Sequence, residues 1–202
     1  MKLTPLFTLI AILPLVSQTP DFKGDPKQIM QDCANKARSI EGKDSRLLAE
    51  YGRAYLAAGQ REMAEETFKV AIARDPKDGE THFLIGYAWL RQGFKEEAFK
   101  AFVVMENADP KGKNAFARAA VVLLDAGEEA AATTLMEKAY RLDVKDWQNA
   151  CEFGRACVRN GKPELASLWF DRTVAAKPKE ERMWNEIALA YADKGLPART
   201  QF

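Results

Sequence analysis

Residues 45–78, SRLLAEYGRAYLAAGQREMAEETFKVAIARDPKD, contain two helical patterns separated by a glycine. In the first half, apolar or small residues recur at the spacing of one helix face: Leu48, Tyr51, Gly52 and Tyr55. Gly59 is suited to end this helix, because glycine readily adopts the left-handed conformation of a C-terminal cap. A second helical stripe follows at Ala64, Phe68 and Ala71, and Pro76 prevents that helix from continuing. The stretch therefore predicts a helical hairpin.

The same pattern recurs along the chain with a period of 34 residues. Glycines occupy positions 59, 93, 127, 161 and 195, and small residues occupy 52, 86, 120, 154 and 188. Asp44, Asp78 and Asp146 each precede a new hairpin, where a carboxylate can accept hydrogen bonds from the free N–H groups of the next helix. A period this strict indicates stacked helix pairs, each of which buries its apolar face against its neighbours.

This 34-residue helix pair resembles the tetratricopeptide repeat family. The resemblance covers a half repeat (27–40), four full repeats (45–78, 79–112, 113–146 and 147–180) and a terminal first helix (181–194). It implies an all-α, right-handed superhelical solenoid of about ten helices over residues 27–195. His82, Met105, Thr173 and the alanine-rich third repeat depart from the family pattern, so we expect weaker packing at those places.

The first residues have the order of an export signal. Met1 and Lys2 are followed by 3–16, LTPLFTLIAILPLV, which carries no charge. We expect a signal peptide at 1–17, a polar spacer at 18–26 and a short tail at 196–202. The protein would then be periplasmic or secreted, in a bacterial setting, with no stable membrane insertion after cleavage. The alternatives are an uncleaved signal that tethers the protein to the membrane, or a buried N-terminal strand.

The composition of the 202 residues argues against several functional classes. Thirty Lys and Arg residues against 29 Asp and Glu residues leave a net charge of +1, so no global charge favours nucleic acid. One histidine, His82, is too few for most zinc sites and most catalytic arrangements, and we expect it to pack in the core. Cys33, Cys151 and Cys157 are expected to be buried free thiols. We therefore expect no metal, no cofactor and no enzymatic activity.

The resemblance also implies where a partner binds. Numbering each repeat from position 1 at residues 45, 79, 113, 147 and 181, positions 2, 5, 9, 12 and 13 of the first helices point into the concave groove of the family. The charged residues at these positions are six arginines against Glu80, Asp125 and Asp193. The candidate partner-binding residues are Arg46, Arg53, Phe83, Tyr87, Arg91, Val121, Leu124, Arg155, Arg159 and Arg182.

These residues predict a groove for a protein or peptide segment with acidic and apolar side chains, since arginine forms forked hydrogen bonds to carboxylates. The alternative is that the arginines only cover helix surfaces with their stems and keep the groove soluble. A known carboxylate clamp of the family uses Lys and Asn at positions 5 and 9. Ala49 and Arg53 stand there in the first repeat, so the chaperone-tail ligand of that clamp is not expected.

Two questions remain open from the sequence. The last helix, 181–194, either caps the solenoid or presents an apolar edge for self-association, because Trp184, Ile187 and Tyr191 lie on it. The predicted function is a non-catalytic adaptor of the cell envelope. The alternative is a chaperone-like assembly or secretion factor that binds several clients.

Overall fold

The protein is described by a computed structural model that covers residues 22–40 and 44–193. These residues form ten α-helices and no strand, which confirms the predicted all-α class. The helices are α1 (Pro26–Ile40), α2 (Ser45–Ala57), α3 (Arg61–Arg74), α4 (Gly79–Arg91), α5 (Lys95–Ala108), α6 (Lys113–Asp125), α7 (Glu129–Leu142), α8 (Trp147–Arg159), α9 (Pro163–Ala176) and α10 (Glu181–Asp193).

The expected signal peptide (1–17), part of the spacer (18–21) and the tail (196–202) lie outside the described residues. None of the described helices has the length and the apolar character needed to cross a membrane.

Each repeat is a hairpin of a first helix (α2, α4, α6, α8) and a second helix (α3, α5, α7, α9), and α10 is a further first helix. The turn inside each hairpin is made by a glycine with positive φ, at Gly59, Gly93, Gly127 and Gly161. In the first turn, the Gly59 N–H donates to the Leu56 carbonyl over 3.0 Å. The predicted caps are confirmed, because Asp44, Asp78 and Asp146 accept hydrogen bonds from the first backbone N–H groups of α2, α4 and α8.

The two helices of a hairpin approach closely at repeat positions 8 and 24. A Cβ atom on Gly86 would lie 2.5 Å from the Phe102 ring, and one on Gly154 would lie 2.6 Å from the Phe170 ring. The third repeat has Ala120 and Met136 at these positions, and both are buried. The glycine therefore makes room for a phenylalanine ring, and alanine is compatible with the narrower methionine.

The first helices line the inner side of the stack. Each first helix contacts the next one, whereas the Cα atoms of successive second helices never come within 8 Å. Long side chains bridge the wider outer gaps as ion pairs: Arg61–Glu97, Lys95–Glu128, Lys138–Glu106, Lys162–Glu129 and Arg172–Glu137. The stack thus curves toward its first helices. α1 packs antiparallel on α2, where the Tyr55 hydroxyl donates to the Asn35 side chain.

On the outer side of the stack, the gap between α5 and α7 of the alanine-rich third repeat is not filled by side chains. In the gaps on either side, the Arg61 guanidinium lies 4.7 Å from the Phe94 ring and that of Arg172 lies 4.4 Å from the Trp169 ring. Lys138 occupies the repeat position of Arg172. A cavity of about 280 Å³ remains between α5 and α7, and its lining includes Phe99, Val103, Ala130, Ala131, Thr134 and Leu135. This agrees with the expected weaker packing of the third repeat.

His82 is a packing residue, as expected. Its side chain is buried, and Nε2 lies 3.0 Å from the carbonyl oxygen of Pro76, at the end of the preceding repeat. Trp184 makes the equivalent contact three repeats later, since its Nε1 donates to the Pro178 carbonyl over 3.0 Å. The side chain at repeat position 4 can therefore tie a first helix to the preceding loop.

Candidate functional site

The inner face of the first helices is formed by repeat positions 2, 6, 9 and 13. Position 5 of α2, α4, α6 and α8 is buried between consecutive first helices, as are Leu56, Leu124 and Val158 at position 12. Phe83 and Leu124, two of the candidate partner-binding residues, are only 3% and 2% exposed. Their side chains support the face from within, because each first helix packs directly on the next along these positions.

The apolar part of the face that partners can reach is smaller than the sequence suggested. Tyr87 and Val121, both at position 9, are half-buried. The Tyr87 ring is stacked on the Phe83 ring, with the ring centroids 6.0 Å apart. The Arg118 guanidinium also lies over the Phe83 ring, 4.2 Å from its centroid. Phe83 therefore holds Tyr87 and Arg118 in place.

Five of the six predicted arginines are paired with carboxylates of this chain. The shortest contacts are Arg46–Asp78 at 2.7 Å, Arg53–Glu50 at 2.6 Å, Arg155–Glu186 at 2.7 Å, Arg159–Asp125 at 3.0 Å and Arg182–Glu186 at 3.9 Å. Arg155 also lies 3.3 Å from Glu152. At repeat positions 2, 5, 9, 12 and 13, arginines outnumber acidic residues. Because five of these arginines pair with carboxylates, the inner face is nevertheless close to charge balance.

Sequence reasoning missed the acidic half of this face because it left out position 6. Glu50, Arg118, Glu152 and Glu186 occupy position 6 of the first, third, fourth and fifth first helices. Position 6 lies one helical turn after position 2 and just under one turn before position 9, so it belongs to the same face. A helical wheel drawn through positions 2, 9 and 13 would have included it.

Arg91 is the exception among the six arginines. Its side chain is exposed, and within residues 22–40 and 44–193 it has no hydrogen-bond or ion-pair partner. The acid at the same position of the next repeat, Asp125, is engaged by Arg159 and by the Asn160 amide, which donates over 2.6 Å. Arg91 thus offers a guanidinium beside Tyr87, one turn away on α4, without the loss of an internal ion pair.

The pair between Arg46 and Asp78 links α2 to the start of α4. Arg46 donates from Nε over 2.8 Å and from the terminal nitrogen over 2.7 Å to the two carboxylate oxygens. The guanidinium, followed by the Thr81 hydroxyl and N–H, lowers the pKa of Asp78 from 3.8 to about 2. The Arg46 pKa is raised by the same contact. The Arg46 guanidinium therefore links two repeats and is not free to bind a partner.

We expect Arg46→Met to lower the free energy of unfolding at pH 6 by up to about 1 kcal/mol, since Arg46 is largely exposed to screening. A carboxyl group whose pKa is lower in the folded state stabilises the fold above its unfolded pKa, and this contribution is lost as the pH falls through its folded pKa. The difference between wild type and variant should therefore shrink between pH 4 and pH 2, the window set by the two Asp78 pKa values. Urea denaturation at both ends of the window measures it. A constant difference would contradict the assignment.

The inner face carries charged side chains and half-buried apolar side chains. No group of three or more His, Cys, Asp or Glu side chains in the described part of the chain is arranged to hold a metal ion. Among the described residues, the face offers the unpaired Arg91 guanidinium, several ion pairs and the half-buried side chains of Tyr87 and Val121.

Comparisons with known proteins agree with this fold. A sequence model of the tetratricopeptide repeat family matches residues 51–112. A crystal structure of MamA is similar with a TM-score of 0.50 and 18% identity, over 77% of this chain and 93% of that chain. A second MamA structure has a TM-score of 0.49 and 18% identity, over 76% of this chain and 84% of the other.

A structure of YrrB, described as a TPR protein with an unusual peptide-binding site, has a TM-score of 0.43 and 17% identity over 81% of this chain and 84% of its own. No curated protein matches the sequence. At these identities the structural likeness concerns the fold alone. Residues 51–112 therefore match the tetratricopeptide repeat family, and the described chain has the all-helical solenoid fold of such repeats.

Proposed function

We propose that the protein is a non-catalytic adaptor that holds a segment of a partner protein against the inner face of its first helices. Tetratricopeptide repeats generally serve as protein-interaction modules, which supports the general role. Arg91 is proposed as the polar contact, and Tyr87 and Val121 as the apolar contacts beside it. The observation that carries this proposal is the exposed Arg91 guanidinium, which has no carboxylate partner among the described residues.

The ion pairs refine the chemistry expected of the partner. Arg53, Arg155 and Arg159 already share their charge with carboxylates, so a strongly acidic partner gains little from them. A single carboxylate next to an apolar side chain matches Arg91 and its neighbours better than a run of acidic residues. We place this interaction in the bacterial cell envelope, in the periplasm or outside the cell, on the strength of the signal-like order of residues 1–17.

Arg91→Ala is expected to weaken the partner's affinity by about tenfold or more, the usual cost of one charge-assisted hydrogen bond. Arg159→Ala is the matched control, because Arg159 occupies the same repeat position two repeats later but is bound to Asp125. We expect less than about a threefold loss from it. Both variants and the wild type would be used to capture partners from cell-envelope extracts, and dissociation constants would be measured by calorimetry with the captured partner.

The outcomes separate the two functional classes. One dominant partner, lost with Arg91→Ala and retained with Arg159→Ala, supports the adaptor and its inner-face site. Many clients that bind both variants equally would favour the chaperone-like alternative. A single partner that binds both variants with the wild-type dissociation constant would indicate that the binding site lies on another surface.

A further inference from the structure

The gap between α3 and α5, on the outer side of the stack, contains a tryptophan. The Trp89 ring of α4 packs between Phe68 of α3 and Phe94 just before α5, with ring centroids 5.6 and 5.5 Å away. The Arg61 guanidinium lies 5.1 Å from the Trp89 ring, where the ring face attracts its charge. This gap is therefore filled by an indole beneath a cation.

The gap between α7 and α9 also contains a tryptophan, although a different helix supplies it. Trp169 of α9 is fully buried and packs edge-on against Tyr140 of α7, with the ring centroids 5.7 Å apart. The Arg172 guanidinium lies 4.4 Å from the Trp169 ring. Two gaps thus have the same filling, an indole ring under an arginine, from two different repeat positions.

The gap between α5 and α7 has leucine at both of the positions that supply these tryptophans. Leu123 occupies the repeat position of Trp89, and Leu135 occupies that of Trp169. Both leucines line the cavity of about 280 Å³, and they are smaller than an indole. The cavity therefore lies where each neighbouring gap holds a tryptophan ring.

The rim of the cavity carries a cation, as the neighbouring gaps do. Lys138 occupies the repeat position of Arg172, and its ammonium group is paired with the Glu106 carboxylate. Among the described residues that line the cavity, Glu106 alone is ionised, and this ion pair neutralises it. The walls are otherwise almost entirely apolar, so an uncharged ring can enter without the burial of an unpaired charge.

We propose that this cavity is a second binding site, on the outer side of the stack, which takes an aromatic side chain of a partner protein. A ring is favoured over an aliphatic side chain because the Lys138 ammonium attracts the face of a ring. Val103, which lines the cavity, is 55% exposed, and its neighbour Val104 is 46% exposed. Apolar surface therefore continues outside the cavity, where the residues that flank the ring in a partner can pack but a free small molecule cannot reach.

The first experiment uses N-acetyl-tryptophanamide as a probe, since it carries the indole without the rest of a partner. Added to the full chain with isotope-labelled methyl groups, it should shift the NMR signals of Leu123, Leu135 and Val103. We expect a dissociation constant of about 1 mM, as is usual for so small a ligand. N-acetyl-leucinamide should bind at least about threefold more weakly, because it lacks the attraction to Lys138.

Two variants fill the cavity from within by copying the next repeat. Leu135→Trp introduces the residue that stands at position 169 and should abolish probe binding at Leu123 and Val103. Ala131→Leu introduces the residue found at position 165 and should weaken binding by about tenfold or more, so it remains a test if the larger substitution prevents folding. Leu168→Trp is the matched control: Leu168 is exposed on α9 and does not line the cavity, so binding should be unchanged. Circular dichroism establishes that each variant is folded.

The second experiment tests the partner protein, with random peptides displayed on phage and selected on the full chain. The enriched peptides should contain Trp, Tyr or Phe, compete with the probe, lose binding to Leu135→Trp and retain binding to Arg91→Ala. This last result separates the outer site from the proposed inner-face site, which can fail or hold independently.

Three results would overturn the proposal. The lining methyl signals would not respond to the tryptophan probe, the leucine probe would bind equally well, or both filled variants would bind like the wild type. If the probe binds but no selected peptide competes with it, the cavity takes free aromatic molecules and the assignment to a partner protein is wrong. Peptides that are lost only with Arg91→Ala would likewise place peptide binding on the inner face alone.

Discussion

Gly86→Ala is expected to lower the free energy of unfolding by about 2 kcal/mol, although alanine is the better helix former. The added methyl group would lie 2.5 and 2.7 Å from two carbon atoms of the Phe102 ring. Phe102 is 2% exposed, so the ring has no free space to move into. Overpacking of this kind costs up to about 3 kcal/mol, and the gain in helix propensity of about 1 kcal/mol offsets only part of it.

The third repeat supplies the compensating change. Ala120 and Met136 occupy the positions of Gly86 and Phe102 and are 0% and 1% exposed, so this pair is also compatible with close packing. We therefore expect Phe102→Met to recover most of the stability lost in Gly86→Ala, with a coupling energy of about 1–2 kcal/mol in a double-mutant cycle. Urea denaturation followed by circular dichroism measures all four proteins of the cycle.

Gly93→Ala distinguishes this clash from a backbone effect. A Cβ atom there would meet no atom within 4 Å, but Gly93 has a φ of +81°, which costs a residue with a side chain about 1 kcal/mol. Phe102→Met should not recover this loss. If Gly86→Ala proved neutral, or if the two substitutions at 86 and 102 were simply additive, the explanation of the glycine–phenylalanine pair would be wrong.

The fold could be predicted from the sequence because its determinants are local and recur. Gly59 and its equivalents, the stripe at Leu48, Tyr51 and Tyr55, and the capping residue Asp78 each act within about one helical turn. Stacking of identical hairpins then requires no long-range information beyond the period itself. Gly86 was visible as one of the small residues of that period, although its close approach to the Phe102 ring was not.

The candidate site was less predictable because it depends on contacts between repeats. Phe83 is apolar on a face that also carries arginines, and only the packing of α4 on its neighbours shows that its ring is buried. Arg118 pairs with Glu80, which lies 38 residues earlier in the chain. Whether a given arginine is paired or open depends on such long-range neighbours. Arg91 consequently could not be distinguished from Arg159 by sequence alone.

Cys151 and Cys157 are expected to resist alkylation by iodoacetamide at pH 8 by at least about two orders of magnitude relative to the unfolded chain. Both thiols are buried, in α8, and the desolvation of the charged form raises the pKa of Cys151 to about 11 and that of Cys157 to about 12. Since the ordinary value is 9.0, the reactive thiolate becomes about a hundredfold to a thousandfold rarer at pH 8. Arg155 lowers the Cys151 pKa, but Glu186, which neutralises Arg155, and Glu152 raise it.

Cys33 is half-buried on α1 and provides the internal control for this labelling experiment. Mass spectrometry after a timed exposure should show one modification per native chain, and three after unfolding in urea. Equal labelling of all three cysteines in the native protein would contradict the assignment. The three cysteines are free thiols in the described chain, and burial is what we expect to protect Cys151 and Cys157 from reagents.

The same pKa shifts set how stability should change in alkali. Each of these thiols has a higher pKa in the folded state than in the unfolded chain. Below the unfolded pKa both states hold the proton, so the contribution of the thiol to stability is complete and does not change with pH. Above pH 9, the unfolded chain releases protons that the folded chain keeps, so stability should fall steadily until the pH passes the folded values of about 11 and 12. Cys151→Ala with Cys157→Ala should remove this part of the alkaline decline, while the decline caused by lysine and tyrosine titration remains. Parallel denaturation of wild type and variant at pH 8 and pH 10 measures the difference, and an identical slope in both proteins would show that the two thiols do not contribute.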